Sequence, residues 1–241
     1  MRQLLPTTVA HLDHDALVAA YSYPDGRAWV RANMVASLDG SAVKDGRSGG
    51  LGGAADKAVF DVLRGLADLV LVGAGTARTE GYRAMRPKAP YAELRAAQGQ
   101  RPAPVLALVS GSLDLDPASA LFGGAERTLV VTHAGTDAAA RRRLAEVSDV
   151  VVAGERSVDV GAALDELAAR GLRRVLCEGG PSLLSDVAAA ARLDELCLTL
   201  SPQVVGGDGP RITHGPELDT RWTLGHLLEE DGVLLTRWTA G

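Results

Sequence analysis

The chain has 241 residues, 30 acids against 25 bases, a net charge of −5 and 46% apolar residues. That length suits one large domain or one domain with an elaboration, and that apolar fraction supports a sizeable core and excludes intrinsic disorder. A polybasic nucleic-acid binder is excluded because no basic run exceeds Arg141-Arg142-Arg143, and no stretch of about 20 apolar residues offers a membrane span.

The first residues, Met1-Arg2-Gln3-Leu4-Leu5-Pro6, lack the long apolar core of a secretory leader. Cys177 and Cys197 each sit inside an apolar run and read as reduced core residues of a cytoplasmic protein. The histidines show no metal spacing, and no metal site is expected.

Residues 1–27 read as a lead-in, with a short helix over Leu12–Tyr21 and a turn at Pro24-Asp25-Gly26. Residues 28–241 read as a single domain. Trp29–Val35 alternates as a strand and runs into a glycine-dense loop, Asp45–Gly53, expected to be mobile. Ala54–Leu66 has helical spacing, with Ala58, Val59, Val62, Leu63 and Leu66 on one face. Leu69–Val72, Val105–Val109, Thr128–Thr132, Val150–Ala153 and Arg174–Cys177 are short apolar runs, as buried parallel strands require. Between and after them, Tyr91–Gln98, Ala138–Ala145, Val160–Arg170 and Pro181–Ala191 read as helices, the last with proline in its first turn. Leu196–Ser201 is a further strand, and Trp222–Leu228 with Val233–Trp238 forms a hairpin across Glu230-Asp231-Gly232. The alternation predicts an α/β fold: a mainly parallel central sheet, helices on both faces, and an antiparallel C-terminal end.

Four stretches carry chemistry. A buried strand ends in Val72-Gly73-Ala74-Gly75-Thr76, where glycine lets backbone approach an anion and a helix start supplies N–H donors. Another ends in Cys177-Glu178-Gly179-Gly180-Pro181-Ser182-Leu183. Ligands of open α/β sheets bind outside the carboxyl ends of strands, so these two ends suggest one shared site. A third strand, starting its motif at Asn33, delivers Ser37 and Asp39 to its end before Gly40; the fourth stretch is Leu200-Ser201-Pro202-Gln203-Val204-Val205-Gly206-Gly207-Asp208-Gly209-Pro210. Taken singly, each also reads as a tight turn. Arg83 and Arg86 follow the first glycine site closely enough to hold a substrate phosphate.

In order and spacing, Asn33-x-x-x-Ser37-Leu38-Asp39-Gly40, Gly73-x-Gly75-Thr76, Glu178-Gly179-Gly180-x-Ser182-Leu183 and Pro202-x-x-x-Gly206-Gly207 resemble the reductase domain of riboflavin biosynthesis, which shares the dihydrofolate reductase fold. The resemblance spans roughly residues 28–238. It implies NADPH-dependent reduction of 5-amino-6-(5-phosphoribosylamino)uracil to the ribitylamino product by hydride transfer to C1′ of the ribose, in a homodimer that meets over Leu196–Ser201 and the C-terminal hairpin.

By the same resemblance, Gly73, Gly75, Thr76, Gly179, Gly180, Ser182 and Leu183 would cradle the cofactor, with Ser37 nearby and Ser110 on the next strand end. Asn33, Asp39, Glu80, Arg83, Glu178 and Gly206 would meet the substrate. Asp39 and Glu178 are the catalytic candidates, Asp39 as a proton relay, and the Gly179–Gly180 peptide would be cis. The chain departs from the family's Ala-Asp-Asp-Pro-Arg, having Thr79-Glu80-Gly81-Tyr82-Arg83 there, with Glu80 and Arg83 keeping the charge types. The zinc deaminase signature is absent from this sequence, so the expectation is the reductase activity alone. Two alternatives stay open: a pterin reductase on the same fold, with an acid near the nicotinamide, and a noncatalytic NADPH-binding protein.

Overall fold

The computed structural model describes residues 1–241. In chain order it contains β1 (Arg2–Leu5), α1 (His14–Ala20), β2 (Trp29–Ser37), α2 (Ala54–Leu66), β3 (Leu69–Gly73), α3 (Ala74–Thr79), α4 (Ala92–Ala97), β4 (Val105–Val109) and β5 (Leu129–Thr132). There follow α5 (Ala138–Ala145), β6 (Asp149–Val152), α6 (Val160–Ala169), β7 (Arg174–Cys177), α7 (Pro181–Ala189), β8 (Glu195–Ser201), β9 (Trp222–Glu230) and β10 (Val233–Ala240).

All ten strands join one sheet, in the order β1-β9-β10-β8-β2-β7-β3-β4-β5-β6. From β8 to β6 neighbours run parallel; β8, β10, β9 and β1 form the antiparallel end. This is the α/β architecture the alternation predicts. Because side chains alternate across a strand, β3 feeds two cores at once. Val70 and Val72 pack with Val59, Leu63 and Leu66 of α2, whereas Leu69 and Leu71 pack with Leu164 and Leu167 of α6 and Leu183 and Leu184 of α7. Ala58, expected on the buried face of α2, is exposed.

Helix starts divide by purpose. α1, α5 and α6 are capped by Asp13, Asp137 and Asp159, each accepting from the N–H three residues on. By contrast, α3 and α7 start at Gly73 and Gly180 with no side-chain cap, so their first N–H groups face outward without an intrahelical partner. The Gly179–Gly180 peptide is cis.

Residues 1–27 are built into the same body. β1 pairs with β9, and Leu12, Leu17 and Tyr21 join the core beneath α2. A four-residue edge strand half composed of Arg2 and Gln3 is too short and too polar for alternation to reveal. The expected mobile loop carries a 3-10 turn, Ser48–Gly50, and the Ser48 N–H donates to Glu80 Oε1 at 2.8 Å.

The antiparallel end encloses a charged knot. Arg31 is fully buried; its Nε donates to Glu195 Oε1 at 2.5 Å and its Nη1 to the Tyr21 carbonyl at 2.7 Å. Arg237 Nη2 and Trp29 Nε1 also donate to Glu195. Burial alone would raise the Glu195 pKa, but the two guanidinium groups hold it below the ordinary range. Removing one partner of a buried pair leaves an uncompensated charge. Glu195→Ala should therefore cost roughly 3–5 kcal/mol in urea unfolding. Asp165→Asn, which removes the exposed pair with Arg192, should stay within about 1 kcal/mol.

Candidate active site

The parallel strands β2, β3 and β7 end side by side, and their carboxyl ends open into a cavity of about 810 Å³. Its floor includes Asn33, Met34 and Val35, one wall is the polar face of α2, and Gly75, Thr76, Gly180 and Pro181 form the rim at the two glycine strand ends. The two ends are tied together, with the Gly73 N–H donating to the Gly179 carbonyl at 2.7 Å and the Glu178 N–H to the Leu71 carbonyl at 2.9 Å. A Cβ on Gly180 would collide with Thr76 Oγ1, and one on Gly179, whose φ is +77°, would press on Met34 Sδ at 3.2 Å. Backbone thus forms the rim where any side chain would intrude. Above it stand the free N–H groups of Ser182 and Leu183 at the start of α7.

Glu178 closes the cavity's inner end. Arg64 of α2 grips it in bidentate fashion, Nε to Oε1 at 2.7 Å and Nη2 to Oε2 at 2.6 Å, and the Tyr82 hydroxyl donates to Oε2 at 2.5 Å. The Arg64 guanidinium also stacks 4.1 Å over the Phe60 ring. Burial and the adjacent Glu178 charge push the Tyr82 pKa far above its ordinary value, so the phenol stays a donor.

A second cavity of about 530 Å³ adjoins the first, sharing Phe60, Arg64, Glu80, Tyr82 and Lys88. Arg83, Arg86 and Arg95 complete its charged lining. Arg95 is 2% exposed; Nε and Nη1 are spent on carbonyls, but Nη2 has no partner. Its lining carries five basic side chains, Arg64, Arg83, Arg86, Lys88 and Arg95, against the one acid Glu80. A third cavity, about 620 Å³, lies beyond β4 and β5 against α6 and α7, lined by Gly111, His133, Arg156 and Asp186 among others.

Residues 28–234 match the model of the RibD C-terminal domain. The chain belongs to that family. It is 29% identical over 78% of its length to a 2,5-diamino-6-ribosylamino-4(3H)-pyrimidinone 5′-phosphate reductase of Archaeoglobus fulgidus, covering 87% of that protein. An Aquifex aeolicus protein of the same name is 28% identical over 68% of this chain and 70% of its own. Among solved structures, a pyrimidine reductase-like protein from Corynebacterium diphtheriae superposes with a TM-score of 0.81 at 28% identity, over 89% of this chain and 92% of that one. The dihydrofolate reductase-like fold and the reductase class expected from the motifs stand with this membership. No helix is long and apolar enough to cross a membrane.

Within this RibD-type frame the expected site residues separate. Asn33, Gly75, Thr76, Glu80, Glu178 and Gly180 line the main cavity, and Arg83 lines the basic lobe. Gly73 and Gly179 lie just beneath the rim. Ser182 is exposed at the start of α7, but the Leu183 side chain is buried in the core, leaving only its N–H for a ligand. Ser110 is also buried, and its hydroxyl accepts from the Leu113 N–H instead of facing a cavity.

Ser37, Asp39 and Gly206 lie outside the cavity lining. Ser37 Oγ donates to Asp39 Oδ1 at 2.5 Å, and the N–H groups of Val205 and Gly206 donate to the same carboxylate at 3.2 and 2.7 Å. The Ser37 hydroxyl and these two N–H groups pull the Asp39 pKa down to about 2. A carboxylate so low carries no proton near neutrality. In this geometry Asp39 pins one loop to another. Glu178, with three donors already on it, orients Arg64 and Tyr82.

The motifs did not point to Arg64, Tyr82, Asp56, Phe60, Lys88 or Arg95. A signal existed: Asp56, Phe60 and Arg64 stand at i, i+4 and i+8, an aromatic on the otherwise charged face of α2.

The lowered pKa of Asp39 fixes the sign of its pH dependence. Its contribution is complete above the ordinary carboxylate value of 3.8 and is lost as pH falls through about 2. Asp39→Ala should therefore speed amide exchange at Val205 and Gly206 at pH 7. In the unsubstituted protein their protection should persist at pH 4.

Proposed function

We propose that this chain reduces a phosphoribosylaminopyrimidine of riboflavin biosynthesis with NADPH, converting the ribosylamino group to ribitylamino. The observation that carries this reading is the junction of two cavities: a rim of glycine backbone and free helix-start N–H groups on one side, and a lobe with unpaired Arg83, Arg86 and Arg95 Nη2 on the other. The first suits a dinucleotide pyrophosphate, the second a sugar phosphate.

Gly73, Gly75, Thr76, Gly179, Gly180 and Ser182, with the Leu183 N–H, would hold the cofactor. When bound, it supplies a hydride. The substrate in its ring-opened form presents a C1′=N imine; C1′ takes the hydride, the nitrogen takes a proton, and the product is a secondary amine. The chain's own work is positioning and exclusion of water. Glu178 holds Arg64 and Tyr82 at the junction between ring and phosphate. The basic lobe favours this reading over a pterin reductase, which has no sugar phosphate to bind, and the whole junction favours it over a noncatalytic binder.

NADPH rather than NADH is supported by Arg156. This exposed side chain lines the third cavity beside His133 and makes no ion pair, so it is free for a 2′-phosphate. It comes from the loop after β6, one strand beyond the loops where the sequence offers only Ser110, Ser112, Thr132 and His133. Arg156→Ala should weaken NADPH binding roughly tenfold, about 1.4 kcal/mol, and leave NADH titrations unchanged.

β8 lies inside the sheet, so a dimer cannot form by adding a strand to its edge. A face is available instead: Leu196, Leu198 and Leu200 remain half-buried while Glu195, Cys197 and Thr199 between them are buried. This supports the expected homodimer, for which sedimentation should give about twice the monomer mass.

The deciding assay follows NADPH oxidation with the phosphoribosylaminopyrimidine, its dephosphorylated form and dihydrofolate side by side. Turnover should require the phosphate, and Arg83→Ala with Arg86→Ala should raise KM roughly tenfold or more. Equal turnover without the phosphate, or turnover of dihydrofolate alone, would overturn the proposal.

A further inference from the structure

The two cavities meet along one line of side chains: Ser48, Phe60, Arg64, Glu80, Tyr82 and Lys88 line both. With the ring in the main cavity and the phosphate in the basic lobe, the ribose between them lies against this line. The reaction there needs more than a hydride. A ribosylamine is a closed furanose, and C1′ becomes reducible only when the C1′–O4′ bond breaks and the nitrogen lone pair forms C1′=N. O4′ leaves as an alkoxide unless an acid supplies a proton.

Most of the line is unsuited to supply it. Phe60 has no proton to give, and a guanidinium such as Arg64 does not release one. Glu80 is an acceptor, holding the Ser48 N–H at 2.8 Å. The Tyr82 proton lies on Glu178, and burial together with that charge pushes the phenol's pKa far above its ordinary value. A serine hydroxyl such as Ser48 is too weak an acid to act without a base.

Lys88 is left, and it is held in place. Its backbone enters the 3-10 turn Ala89–Tyr91, where its carbonyl accepts from the Tyr91 N–H at 3.0 Å. Its Nζ donates to Asp61 Oδ1, and Lys57 Nζ donates to Asp61 Oδ2 at 2.7 Å. Burial alone would raise the Asp61 pKa, but the two ammonium groups draw it below its ordinary value, so it stays a carboxylate that aims Lys88. One of three ammonium N–H groups is spent there and two remain for a ligand. The side chain is 44% exposed, so solvent can restore its proton.

We propose that Lys88 is the acid that opens the ribose ring. This rests on the reductase reading above and adds a chemical step to it. The Lys88 ammonium gives its proton to O4′ as the C1′–O4′ bond breaks, and the amine left behind takes the N–H proton of the protonated imine. When hydride reaches C1′, the same ammonium returns a proton to the nitrogen, and solvent recharges the lysine. The sum is one hydride and one proton added to the ribosylamine.

The test compares the unsubstituted full chain with Lys88→Arg, which keeps the charge beside Asp61 but releases no proton. Turnover with NADPH should fall roughly 10²- to 10⁴-fold, the usual worth of a positioned acid. The ribityl product is already open, so its affinity by calorimetry should stay within about threefold. The isotope effect from NADPH deuterated at C4 should shrink towards one, because ring opening then limits the rate. Lys88→Ala should regain turnover with added ethylammonium. Without NADPH, cyanoborohydride should trap the imine as ribityl product faster with the unsubstituted protein than with Lys88→Arg. Unchanged turnover in Lys88→Arg, or a loss matched by the loss of product affinity, would overturn the assignment. No NADPH turnover by the unsubstituted protein would instead overturn the reductase reading, while the trapping rates would still decide the role of Lys88.

Discussion

The site depends on the grip of Arg64 and Tyr82 on the Glu178 carboxylate. Glu178 is the residue between β7 and the Gly179-Gly180 rim, Arg64 lies in the last turn of α2, and Tyr82 follows α3. One buried anion therefore sets the distance between a strand end, a helix wall and the segment that opens the basic lobe. The pair is no source of large net stability, since desolvating both charges offsets much of their attraction. Its value is geometric, because a bidentate guanidinium–carboxylate pair tolerates little rotation. Phe60 under the guanidinium then has one orientation, and so does the cavity wall.

Around that anchor the sheet and the helices divide the work. Strand ends supply backbone: glycines at β3 and β7 bring two uncapped helix starts to one rim, beside the side chains of Thr76 and Pro181. Side chains from α2 and from residues 80–95 supply much of the remaining lining. Residues Thr79–Arg83 line or border both cavities.

Much of the scaffold was legible in the residues. Leu69–Val72, Val105–Val109 and Arg174–Cys177 are strands buried on both faces, and apolar runs of that length bounded by glycine have few other uses. Gly73, Gly179 and Gly180 announced a backbone site for the same reason. The limits were equally physical. Asp39 closes a turn-like motif and looks catalytic, but its partners Val205 and Gly206 are 166 and 167 residues away, and no local pattern reveals them. Arg64 and Asp56 sit on the polar face of an amphipathic helix, and that face has the same spacing whether it meets water or a cavity. β1 was missed because four residues ended by Pro6 carry no readable period.

The central claim is that a hydride reaches C1′ of a ribose whose phosphate lies in the basic lobe. It is tested most directly by turnover of the phosphoribosylaminopyrimidine with NADPH deuterated at nicotinamide C4 on the transferred face, followed by NMR of the product. The account predicts one deuterium at C1′ of the ribityl chain and none on the ring. Deuterium in the ring, or a product reduced only with solvent hydrogen, would contradict it.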